Sequence, residues 1–205
     1  MLTFLVVAVL RSSVAAGQTP VHNPVPPTPW IASGECPGEG CTLGAWSACT
    51  TVVVRKEKRP DAAPAFALHR GDRVTALRGD VHVDVPGIVI FSDTITYEPK
   101  PWAPSPDTVR FGPADTLYLL NYLGEGYLVW WFRGRADTGQ AFWPTRAGPS
   151  RHPGRRAVLL RRTSEVWWVR VRNARGEEGW LVPTMATMSG AAPHYDDGPE
   201  RCGRE

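Results

Sequence analysis

From about residue 50 to residue 183 the chain is cut into short apolar runs by turn-forming residues. The runs at 51–55, 73–77, 81–85, 87–91, 94–97, 116–120, 127–132, 157–161, 165–172 and 179–182 are rich in β-branched and aromatic side chains. Such side chains fit a pleated, half-buried surface, so each run predicts a strand. No window of a dozen residues shows the i, i+3, i+4 apolar stripe of an amphipathic helix. The expected class is all-β, built as small barrels or a sandwich.

The period of two assigns faces within these runs. Trp167, Val169 and Val171 share one side of their strand, and Trp168, Arg170 and Arg172 share the other. Trp167 is therefore expected in the core and Trp168 on the surface or in a groove. Asn173-Ala174-Arg175-Gly176 reverses the chain, and Gly179-Trp180-Leu181-Val182-Pro183 returns as the partner strand. By the same alternation Asp80, His82 and Asp84 project together, opposite Val81, Val83 and Val85. They read as a solvated polar face, and no metal site is expected there.

Composition supports this class. Twenty Gly and twenty Pro in 205 residues argue against a helical bundle, while 42% hydrophobic residues with nine Trp supply a core. A formal charge of +3 is too small to suggest a nucleic-acid binder on bulk charge.

The ends carry different signals. Residues 1–16 hold a nine-residue run from Leu2 to Leu10, apolar but for Thr3, followed by small residues up to Val14-Ala15-Ala16, and read as a secretory signal peptide. A run of nine residues is too short to span a bilayer, so no transmembrane segment is expected. Residues 17–35 carry Pro20, Pro24, Pro26, Pro27 and Pro29 and read as an extended spacer outside any core. Residues 189–205 read as a flexible tail.

The four cysteines agree with export, since disulfides persist in oxidising compartments. Cys36 and Cys41 bracket Pro37-Gly38-Glu39-Gly40, a turn short and flexible enough to bring them into bonding range. Cys49 either lies buried as a small hydrophobe or pairs with Cys202. Zinc is disfavoured, because neither a CxxC nor an HxxxH pair occurs.

The stretch from Glu165 to Pro183 resembles bacterial SH3-like domains: a Trp-rich strand, a short charged turn, then Gly-Trp and a small apolar strand ending near Pro. Gly71-Asp72-Arg73-Val74-Thr75-Ala76-Leu77 is similar to the opening strand of that family, and Asp115-Thr116-Leu117-Tyr118-Leu119-Leu120 repeats its register. Tyr127-Leu128-Val129-Trp130-Trp131-Phe132 in turn is similar to the later Trp167-Trp168 strand. A near-duplicate inside one chain predicts tandem barrels, at 36–106 and 107–188. The resemblance implies a non-catalytic module, often associated with the bacterial cell wall or envelope. It does not carry over proline-rich ligand recognition.

No catalytic constellation stands out. A Gly-x-Ser-x-Gly elbow, a phosphate-cradling Gly-rich loop and a His-Glu-x-x-His pair are all absent from the sequence. No enzyme activity and no cofactor are expected. Residues 144–164 contain six Arg and no acid, a surface suited to phosphate or carboxylate groups. The expected function is an exported module docking on peptidoglycan or an anionic glycan. Its contact residues would be Trp168, Trp130, Arg155 and Arg156, since aromatic faces stack on sugars and guanidinium pairs with anions. The alternative is a structural or interaction subunit that assembles with an envelope protein, or with itself, through a barrel edge or Trp-rich face.

Overall fold

The computed structural model describes residues 24–38, 41–98, 108–113, 115–140, 156–190 and 202. The protein is all-β and barrel-like, with no helix among the described residues. One sheet has eight antiparallel strands: β1 (Trp30–Ser33), β2 (Gly44–Ala48), β3 (Val52–Arg55), β4 (Pro64–Leu68), β5 (Arg73–Val85), β13 (Ser164–Asn173), β14 (Glu178–Leu181) and β15 (Met188–Ser189). Its order is β15-β2-β5-β13-β14-β3-β4, with β1 attached to β5. The second sheet runs β11-β10-β9-β6-β12, from β6 (Gly87–Phe91), β9 (Thr116–Gly124), β10 (Tyr127–Phe132), β11 (Arg135–Gln140) and β12 (Ala157–Arg161). A hairpin of β7 (Ile95–Tyr97) and β8 (Val109–Phe111) completes the set.

Each sheet encloses its own core, as the runs of alternating apolar residues require. The first buries Trp46, Val54, Phe66, Val74, Val169, Val171 and Leu181, and the second buries Val89, Phe91, Phe111, Leu117, Trp130, Phe132 and Leu159. In the second, Phe111 stacks on Phe91 at 4.6 Å and meets Phe132 at 4.7 Å.

The two cores do not divide at 106/107. The first draws on chain segments 46–76 and 169–188, and the second on 89–159. The second sheet is thus nested inside the first, leaving between β5 and β6 and returning between β12 and β13. Both segments of the internal echo are strands, in β5 and β9. The echo cannot show that the last Trp-rich strand returns to β5, which it pairs from Ser164↔Val85 to Asn173↔Val74. At the crossover, a Cβ on Gly87 would stand 2.9 Å from Thr163 Oγ1 and 3.0 Å from Leu119 Cβ. Only glycine leaves room for the passing chain.

The proline-rich stretch is more than a spacer where it is described. The Trp131 indole Nε1 donates to the Pro24 carbonyl at 2.7 Å, Pro26 is buried, and Trp30 meets Trp131 edge-on at 5.9 Å. β1 then pairs Trp30 to Ser33 with Val83 to Asp80 of β5. Prolines give no N–H to a sheet, but their carbonyls remain free for an indole donor. The expected signal peptide, the Arg-rich 144–155 and most of the tail lie outside the described residues.

Both cysteine pairs are closed: Cys36 with Cys41, and Cys49 with Cys202. The alternative of a buried free Cys49 is excluded, and no cysteine is free to bind zinc. Two disulfides are consistent with folding in an oxidising, extracytoplasmic compartment. Among the described residues no helix is long and apolar enough to cross a membrane.

Candidate functional site

The residues expected to touch a ligand do not come together. Trp130 is 2% exposed and lies against Phe111 in the second core. Arg156 is exposed and pairs with Asp93 at 3.3 Å, and Arg155 lies outside the described residues. Trp168 is 5% exposed, which corrects the expectation that it forms a contact surface. The strand period does give its face: Trp167 packs on the first core, edge-on to Trp46, while Arg170 and Arg172 stand exposed on the Trp168 side. The difference is one of burial, because Asp80, Val81, His82 and Val83 are all buried and the sheet is covered on both faces at that level. Asp80 and His82 are for the same reason not part of a solvated face, whereas Asp84 is exposed. Trp167 remains half-buried, its ring lying over Gly79, where a Cβ would run into the indole nitrogen.

Further along the same face the cover ends and a charged surface opens. Cross-strand pairing puts Arg78 of β5 opposite Arg170 of β13, and Arg170 opposite Trp180 of β14. Trp180 is half-buried, with Lys58 Nζ 4.9 Å from its ring centroid and the Arg78 guanidinium carbon 5.9 Å from it. Lys58 comes from the loop between β3 and β4. Arg55, the cross-strand partner of Trp180, is tied to the Ala62 carbonyl at 2.8 Å.

Two carboxylates hold these cations in place. Glu178 takes Arg170 on Oε2 and Arg172 on Oε1, each at 2.7 Å. Asp80, fully buried, accepts from Lys58 at 2.7 Å on Oδ2, and from Arg78 at 2.8 Å and the Gly34 N–H at 2.9 Å on Oδ1. Burial pushes the Asp80 carboxyl up, but Lys58, Gly34 and Arg78 outweigh it and hold the group below its usual range. Bonds from Arg172, opposed by some burial and aided by Arg170, likewise lower Glu178. Lys58, Arg78, Arg170 and Arg172, with Arg55 beside them, thus face two carboxylates, an excess of three positive charges around one indole. Such a face can hold an anion by guanidinium hydrogen bonds and stack a ring or sugar on Trp180. Among the described residues no group of three or more His, Cys, Asp or Glu is placed to hold a metal.

The sequence reading puts Arg170 and Arg172 on the side that meets solvent or a ligand but gives Trp180 no part in a site, although all three lie between Glu165 and Pro183. The signal is present in the alternation of Arg170 and Arg172 with buried valines, followed by Trp180 on the return strand. Arg78 and Lys58 carry no such signal, since only the pairing of β5 with β13 brings them alongside. Compared with protein-family models, curated proteins and solved structures, the chain matches none.

Proposed function

We propose that the protein is an exported, non-catalytic binding module that docks on an anionic polymer of the cell envelope through the face around Trp180. The observation that carries this reading is the Arg78–Arg170 pair set directly across two strands beside a half-buried indole. Each of the two already holds one carboxylate, and a guanidinium has further N–H donors with which to take an anionic ligand. The disulfides support export, and the SH3-like motif residues support a binding rather than a catalytic role.

Co-sedimentation with purified cell wall bearing its anionic polymers tests the proposal. Replacing Arg170 or Trp180 by Ala is expected to weaken binding about tenfold or more, and binding should fall steeply with added salt. Wild-type levels of binding by both variants would reject the face. A second reading has its own observation: on the edge strand β12, Leu160 is 55% exposed near the exposed Ile90, a surface on which a protein partner or a second copy fits. Light scattering of the purified protein separates it, since self-assembly abolished by Leu160→Lys would favour that edge.

A further inference from the structure

Beside the charged face lies a buried imidazole that the binding reading does not use. His82 is two residues from Asp80 on the same side of β5, is 7% exposed, and has its Nε2 buried without a hydrogen-bond partner among the described residues. Its ring centroid is 6.5 Å from that of Trp168. Its charged surroundings come from several elements. β5 itself supplies Asp80 and the exposed Asp84, and the β3–β4 loop supplies Lys58. β13 places Val166 opposite it and Trp168, then Arg170, further along the face, while β1 places Ile31 opposite it. Asp80 Oδ2 accepts from Lys58, whereas Oδ1 accepts from both Arg78 and Gly34. A carboxylate oxygen with one donor has room for another.

We infer that His82 is a proton-operated gate on this face: with a proton on Nε2, the imidazolium competes with Lys58 for Asp80 and frees the Lys58 ammonium, which already stands over the Trp180 ring, to meet the anionic ligand. This rests on the binding face proposed above and assigns its regulation. The proton comes from solvent to Nε2, and only hydrogen bonds are exchanged. Two effects act in one direction. The imidazolium repels the Lys58 ammonium, and it offers buried Asp80 a substitute cation, so that the carboxylate is never left uncompensated. Burial first, then Lys58, hold His82 below the ordinary imidazole range, against Asp80 and Asp84, so the gate opens on the acidic side of that range.

Dextran sulfate, with neutral dextran as the control, is the probe, titrated into the full chain at about pH 7.5 and about pH 5. Wild type is expected to bind dextran sulfate about tenfold more tightly at the acid pH, the worth of one additional charge-assisted hydrogen bond. H82Q should show no such increase. K58M, altered in a half-exposed loop residue, should also lose it, and serves if H82Q does not fold. Without ligand, the Trp180 indole N–H resonance should shift with the same midpoint as the His82 ring resonances. An equal acid-induced tightening in H82Q and K58M overturns the gate. If wild type binds dextran sulfate at neither pH, the binding face is rejected, and the resonances then decide the gate alone: a Trp180 signal that does not follow His82 overturns it.

Discussion

Trp168 shows what one residue's environment owes to chain segments far from it. Its neighbours in sequence alternate cleanly, and that alternation gives the right face. Burial depends on what covers the face between Asp80 and Val83, which the strand itself does not encode. Trp168→Ala is therefore expected to destabilise the protein by about 3–5 kcal/mol, read from the denaturant midpoint, with a smaller loss for half-buried Trp167. His82 and Asp80 make stability depend on pH in a defined direction. Both titrate lower in the folded chain than in the unfolded one, so the native state binds fewer protons. Their contributions are fully present above the unfolded values and are lost as pH falls through the folded ones. Thermal melts should show a first loss on the acidic side of the imidazole range and a second below the ordinary carboxylate range. In H82Q the first loss should vanish, and an unchanged profile would refute the assignment.

Strands are the most legible elements because most carry their own signal. The runs at 87–91, 127–132 and 157–161 coincide with β6, β10 and β12. Those at 73–77 and 81–85 are halves of β5, whose middle, Arg78-Gly79-Asp80, reads as a turn. Gly79 is there because Trp167 crosses it, and Asp80 because Lys58 and Arg78 neutralise it. β2, β4 and β11 are not legible: Ala, Gly, Ser and Pro in them give weak propensity, and their neighbours in the sheet supply the order. The proline stretch shows the converse, a segment without strand propensity held by side-chain contacts. Trp131→Phe keeps a ring but removes the donor to Pro24, and should cost about 1 kcal/mol. Limited proteolysis should then cut faster between residues 24 and 30, and unchanged cleavage would show that the bond to Pro24 holds nothing.

At the scale of the molecule, the Cys49–Cys202 bridge spans a sequence separation of 153 and ties the C-terminal region to the turn after β2. Replacing both cysteines by Ser should lower stability by about 4–5 kcal/mol if the entropy of a long closed loop dominates, measured by calorimetry. A loss near zero would mean that the unfolded chain is already constrained. The nested order of the sheets has a different consequence, one for the timing of folding. Val85 and Ser164 are cross-strand partners, so β5 and β13 are in effect the arms of one hairpin whose turn has been replaced by an entire second sheet. These arms pair only after the intervening chain has shortened the distance between them, because closing a long flexible loop costs entropy before any pairing repays it. The inserted sheet should therefore acquire protection from hydrogen exchange before β5 and β13 do. A chain built from its N-terminus would carry β5 paired with β1 and β2 along one side and open along the other until residues 164–173 arrive.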